Sequence, residues 1–274
     1  MREAGAPLPS AHERRPMRAE AATVERVIIG FDAAPPDPVA LRIAAGLAAE
    51  FGAELAGLFV EDERLFRMAG LPFSFELGFP SASPRRLAPE DLARDLRAHA
   101  ERARKLMAGI AGPLKLSWTL TVTRGELPTA ALAASAVSDL LVMAEPHPHP
   151  WSMDPGQAAV RAAGTKRPLM VMAGNTPAAL RALSIAKMLG DASGCDVLAA
   201  VDAHDAADLR QWSARNLAPG GAAVHFLPLA RPGMAGLKQL ATVHRPCAVF
   251  LPRNGDNAGA PAARLSCPVV LIGP

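Results

Sequence analysis

Asp32 closes the apolar run Val27-Ile28-Ile29-Gly30-Phe31, which puts a carboxylate at the end of a buried strand. Such an acid either caps the approach to the next helix or faces a ligand, and the residues alone leave both roles open. A second group gathers in Ala144-Glu145-Pro146-His147-Pro148-His149-Pro150-Trp151, with Asp154 close behind. Imidazoles two residues apart in a loop can converge on zinc or nickel, but a closed site needs a third or fourth ligand that the sequence does not nominate. His147 and His149 are therefore metal candidates set against the alternative of a rigid exposed loop. Cys195, Cys247 and Cys267 are odd in number and lack a zinc spacing, and Cys267-Pro268 reads as a small buried hydrophobe where a strand begins. The chain has no phosphate-binding P-loop motif, no Gly-x-Ser-x-Gly elbow, no His-Glu-x-x-His and no carboxylate pair spaced for acid–base work. That argues against an enzyme.

The elements that must position these residues alternate between strand and helix. After the strand over 27–31, Asp37-Pro38 supplies an N-cap and a proline at the first helical position. Leu41, Ala44, Ala48 and Phe51 share one face of the helix, which stops at Gly52. A strand over 55–60 leads into a long excursion, 61–89, whose Phe73, Phe75 and Phe79 imply packing against something, as a lid or a partner surface. Leu92, Leu96, His99, Ala103, Leu106 and Ile110 define an amphipathic helix on which His99 reads as a satisfied, partly buried side chain. The alternation over 114–122 predicts a half-exposed strand at a sheet edge. A helix over 127–137, a strand over 140–143, the proline loop, a helix over 157–165 and a strand over 169–172 follow. This βα alternation favours an open parallel sheet with right-handed crossovers.

The last hundred or so residues repeat the scheme. Pro177-Ala178-Ala179-Leu180-Arg181 echoes Pro38-Val39-Ala40-Leu41-Arg42, and Cys267-Pro268-Val269-Val270-Leu271-Ile272 parallels Arg167-Pro168-Leu169-Met170-Val171-Met172. Strands are expected over 197–201, 223–227, 248–251 and 269–272, with helices over 205–216 and 234–244. One strand is missing at the join, because 169–172 could end the first repeat or begin the second but not easily both.

Composition narrows the class. Half of the 274 residues are hydrophobic and 20% are charged, as in globular proteins. The net charge of +3 is not gathered in a block, since Glu90, Asp91, Asp95 and Glu101 interrupt the densest basic stretch. This is no nucleic-acid footprint. No apolar run is long enough for a membrane span, and residues 1–24, rich in Arg, Glu, Pro and Ala, read as a disordered tail without a secretory h-region. A cytoplasmic location is the expectation.

The strand ending in Asp32, Gly125-Glu126 before a helix, Asp139-Leu140-Leu141-Val142-Met143 and the Cys267-Pro268-Val269 ending, in this order and spacing, resemble the universal stress protein family in a tandem two-domain form. The resemblance covers 25–173 well and a degenerate second domain, 174–274, loosely. It implies two open parallel sheets of strand order 3-2-1-4-5, of the adenine nucleotide alpha hydrolase-like class, with a crevice between strands 1 and 4. In the nucleotide-binding branch of the family ATP sits in that crevice. The resemblance would place Asp32, Ala33 and the backbone of Phe59 and Val60 around the nucleoside. A Gly-x2-Gly-x9-Gly-Ser/Thr loop after strand 4 would wrap the phosphates. Here Ala144, following Met143, stands where the first glycine belongs, His147 at the second, and Gly156-Gln157 at the final pair with the spacer one residue short. Phosphate cradles use converging N–H donors and chain without Cβ atoms, and Pro146, Pro148, Pro150 and Pro155 supply no N–H. In the second repeat Pro252-Arg253-Asn254-Gly255-Asp256-Asn257 keeps one glycine. The expectation is a non-catalytic stress-response or regulatory protein that lacks the usual phosphate loop and has no cofactor. It would act through protein contacts or small-ligand sensing, with its repeats packed as a pseudo-dimer and the whole chain open to homodimerisation. The alternative is an ATP- or AMP-binding protein with an altered loop.

Overall fold

The computed structural model describes residues 24–33, 37–78, 83–135, 140–144, 167–253 and 265–273. Residues 1–23 of the tail, Asp139, the proline loop with His147, His149, Gly156 and Gln157, and the helix expected over 157–165 lie outside them. Apolar runs in the sequence become strands wherever they are described. These are β1 (Arg26–Phe31), β2 (Glu54–Asp62), β3 (Phe75–Gly78), β4 (Ser83–Arg86), β5 (Trp118–Gly125) and β6 (Leu140–Met143), followed by β7 (Leu169–Met172), β8 (Val197–Val201), β9 (Val224–Pro228), β10 (Ala248–Pro252) and β11 (Val269–Ile272). The helices are α1 (Pro38–Phe51), α2 (Glu63–Ala69), α3 (Pro89–Ala111), α4 (Leu127–Ala134), α5 (Pro177–Ser193), α6 (Ala206–Asn216) and α7 (Gly233–His244).

Nine strands form one sheet in the order β5-β2-β1-β6-β11-β10-β7-β8-β9. Every neighbouring pair is parallel except β6 and β11, where Val142 faces Val270 and Leu141 faces Leu271 antiparallel. The expected mostly parallel α/β sheet is present, and its strands run on as one continuous sheet through the β6–β11 pair. The first half carries the order 3-2-1-4 and the second the order 3-2-1-4-5. The fifth position of the first half is filled by β11, which is parallel to β10 on its other side. β7 pairs with β8 and β10 and with no strand of the first half.

Helices cover both faces. On one, α1, α3 and α5 bury Leu41, Leu47, Met107 and Ile185 against Ile29, Phe59 and Phe250. On the other, Ala131 of α4 and Leu237 of α7 lie over Ile28, Leu141 and Leu251. The strands of the sheet centre are closed on both sides, which is why they read as unbroken apolar runs. The predicted caps form: Asp37 accepts the Val39 N–H at 2.8 Å, and Gly52 ends α1 in the left-handed region at φ 62.

Four local expectations change. The excursion 61–89 holds α2 and the β3–β4 hairpin; its Phe73 and Phe75 are 86% and 61% exposed, which does not fit a packed lid but leaves a partner surface open, and Phe79 lies outside the described residues. The edge strand starts at Trp118, four residues late, because Lys115 takes φ 53 and turns the chain. α4 ends at Ala134, short of 137. His99 is half-buried, but its Nδ1 is buried without a hydrogen-bond partner, so it is not satisfied.

Candidate functional site

The strand that follows β1 in the chain, β2, lies to one side of the β1–β6 pair and the strand that follows β6, β7, lies to the other, so their carboxyl ends form the switch point at which open α/β sheets bind ligands. Register brings Gly30 beside Met143. The next residues, Asp32 and Ala33 from one strand and Ala144 from the other, therefore emerge together. Asp32 is exposed there, Ala33 and Ala144 are half-buried, and Met143 is buried. Gly30 makes room for α4: a Cβ on it would lie 2.7 Å from Leu127 Cδ1, and that side chain would have to shift. Phe59 and Val60 are 1% exposed and lie inside β2, which runs on to Asp62. Their backbones are engaged with Phe31, Val122 and Thr123.

Past that strand end lies a charged rim that sequence reasoning missed. The Asp62 carboxylate caps α2 through the Arg64 N–H at 2.8 Å and takes the Arg64 guanidinium at 3.0 Å. Hydrogen bonding from Arg64 holds the Asp62 carboxyl below the usual carboxylate range, against the opposing effect of partial burial. Arg64 also reaches Glu126 at 3.6 Å, while Arg124 pairs with Glu61 at 3.2 Å and lies 4.1 Å from the centre of the Phe66 ring. The available signal was Glu61-Asp62-Glu63-Arg64 directly after a strand, where an Asp N-cap is favoured.

The second half has its own switch point between β7 and β10. Its mouth carries Gly174 and Asn175 from one strand and Arg253 from the other. Arg253 donates to Ser135 Oγ at 2.9 Å, tying this end to the C-terminus of α4. Arg26 donates to the Ala134 carbonyl at the same helix end, at 3.4 Å. Both guanidiniums thus lie where a helix dipole favours cations. Beyond β8, Asp202, His204 and Asp205 hold their ligand atoms within 4.8 Å of one another, and Asn175 donates to Asp205 at 2.7 Å. The spacing Asp-Ala-His-Asp after a strand was legible but was not singled out. At the opposite end of α5, Lys187 is almost wholly buried and donates to Asp191 at 2.6 Å and to the Gly220 carbonyl at 2.9 Å. Burial pushes the Asp191 carboxyl up, but Lys187 and the Ala222 N–H together bring it below its ordinary value.

Burial pushes the Cys247 thiol up to about 11, with Cys195 adding to the shift, so it is a poor nucleophile near neutrality. A cleft of about 180 Å³ lies among Arg26, Glu54, Thr119, Thr121 and Ala134, at the amino ends of the strands and away from either switch point. Among the described residues no helix is long and apolar enough to cross a membrane.

No family model matches the chain, nor does any curated protein. Among solved structures it is similar to a universal stress protein from Archaeoglobus fulgidus DSM 4304, at 11% identity and TM-score 0.49, over 90% of this chain and 96% of that one. It is also similar to a universal stress protein in complex with cAMP, at 19% identity and TM-score 0.35, over 40% of this chain and 98% of that one. These neighbours are universal stress proteins. At such identities and scores the likeness does not carry function across, and the reading of the crevice rests on this chain's own topology and residues.

Proposed function

We propose that the chain is a universal-stress-protein-like tandem that works without catalysis, as a stress-response or regulatory protein sensing a small ligand or engaging a protein. The observation that carries this reading is the β1–β6 switch point, where an exposed acid, Asp32, stands beside the short residues Ala33 and Ala144. This is a mouth that could take a nucleoside-sized polar group. The proline-laden 145–155 segment lacks the run of N–H donors that a triphosphate needs. Two repeats are proposed near the bounds 25–173 and 174–274, with the boundary moved ahead of β7 because β7 pairs with β8 and β10. A cytoplasmic location belongs to the same proposal.

The exposed carboxylate favours one second reading, retained binding of an adenine nucleotide, with Asp32 on the ribose hydroxyls. ATP, AMP and cAMP titrated against the thermal midpoint of the full chain separate the two. A ligand at a hundred times its Kd stabilises by about 2.7 kcal/mol. The expected result is no shift with ATP at millimolar concentration. A shift that disappears in Asp32→Ala would replace the first reading with the second.

A further inference from the structure

Among the described residues the sheet has two open edges, and they are built differently. β9 is five residues long and ends in Pro228. The Val197 N–H bonds to the Ala223 carbonyl, so 223, 225 and 227 turn their backbone inward while 224, 226 and 228 turn theirs outward. Pro228 therefore removes a donor from the open side, a device that discourages further pairing.

β5 has no such guard. It runs for eight residues, Trp-Thr-Leu-Thr-Val-Thr-Arg-Gly, with no proline and no charge before Arg124. Among the described residues it pairs with β2 alone. The Leu55 N–H bonds to the Ser117 carbonyl, so the backbone of Trp118, Leu120, Val122 and Arg124 faces outward. Val122 is 46% exposed on this edge. A long, β-branched edge, uncharged up to Arg124 and with its outward donors and acceptors unpaired among the described residues, is a template for another strand.

We propose that β5 seats a second copy of this chain, the two β5 strands pairing antiparallel about a two-fold axis at Thr121. In that register the outward-facing residues meet as hydrogen-bonded pairs, Leu120 against Val122 and Trp118 against Arg124, while Thr119 meets Thr123 and Thr121 meets its own counterpart. An apolar pair, a cation–aromatic pair and threonine pairs are all favourable cross-strand matches, and no like charges are opposed. Self-complementarity extends to α3, which packs on β2 and β5. Its first turns carry Glu90, Asp91 and Asp95 against Arg94, and its later turns carry Arg97, Arg102, Arg104 and Lys105 against Glu101. The two-fold that reverses β5 also reverses α3. The acidic end of each helix then faces the basic end of its mate, the sense that electrostatic complementarity requires.

Sedimentation equilibrium of the full chain tests this, together with two substitutions. Val122→Pro deletes an outward N–H while leaving the inward bonds of Thr121 and Thr123 to β2 intact. By symmetry it removes one bond from each copy, so dimer affinity should fall roughly tenfold to a hundredfold with the circular dichroism spectrum unchanged. Should that variant not fold, Val122→Lys opposes the same contact without touching the backbone. Thr121→Cys puts thiols about 4.5 Å apart at Cα on the axis, within disulfide span. It should crosslink two copies under mild oxidation faster than the wild-type chain with its three cysteines. A wild-type chain that stays monomeric at every soluble concentration overturns the proposal, as does a dimer indifferent to Val122→Pro or a Thr121→Cys chain that crosslinks no faster than wild type.

Discussion

The two halves of the sheet share a frame and differ at the mouth of the crevice. Leu140 lies beside Val27 in one half and Ala248 beside Leu169 in the other, so Val27 and Leu169 are counterparts. Five residues further on, the first half presents Asp32 and the second presents Gly174, with Arg253 nearby. Between the second and third strands the first half inserts α2, a hairpin and the 23-residue α3, where the second has only the 11-residue α6. Buried positions must still fill the same layers, so they stay apolar in both halves. Loop residues at the carboxyl ends bear no such packing constraint and have diverged in charge and length.

The halves are joined rather than merely adjacent, and the largest expected effect tests that join. Leu271 is fully buried, with Leu141 of the first half on one side and Leu251 of the second on the other. Leu271→Ala should cost roughly 2–5 kcal/mol, and calorimetry should show one transition moving as a whole. Two transitions, only one of them displaced, would mean that the halves fold independently and that β11 belongs to one.

The shared strand marks the limit of what sequence could show. Runs such as Val249-Phe250-Leu251 and Val269-Val270-Leu271-Ile272 are readable because burial on both faces leaves no polar alternation, and Asp37-Pro38 is readable because capping is local. Which strand β11 lies beside is decided by contacts between residues over a hundred apart, and no local pattern encodes it. The β3–β4 hairpin escaped notice for the opposite reason: Ser83-Pro84-Arg85-Arg86 is too polar and too exposed to show strand periodicity. At the site, Asp32 could be read from its place after β1. The rim could be read only in its local part, the Asp62 cap on Arg64, since Arg64 and Glu126 meet only because β2 and β5 are neighbours.

A mid-sized effect belongs to the second half alone. The Lys187–Asp191 pair clasps α5 to the loop at Gly220, and the Ala222 N–H adds a bond to the same carboxylate at 2.7 Å. Lys187→Met should cost roughly 2–3 kcal/mol, the scale of hydrogen bonds to a charged group. The pH dependence has a definite sign. Because the folded Asp191 pKa is depressed, its contribution is present above the unfolded carboxylate value and is lost as pH falls through the lower folded value. Acid melts of the wild type should therefore lose stability over that window. Lys187→Met, in which only burial and the Ala222 N–H act on Asp191, should show a smaller loss, and an unchanged acid limb would show that the clasp contributes nothing to folding.

The smallest effect asks whether equivalent helix starts carry equivalent weight. α1 begins at Asp37, whose carboxylate accepts the Val39 N–H at 2.8 Å, and α5 begins at Thr176, whose hydroxyl accepts the Ala179 N–H at 3.3 Å. Each precedes a proline at the first helical position, so the backbone is set by φ in both and the side chain supplies the remaining bond. Replacing either cap by Ala should cost about 1 kcal/mol. The shorter, charge-assisted bond at Asp37 and its burial (8% exposed) put Asp37→Ala above Thr176→Ala. Urea midpoints at constant m-value measure the difference. Since the sheet is continuous, both variants should shift the same transition; equal shifts would show that proline and packing, not the cap, fix where these helices start.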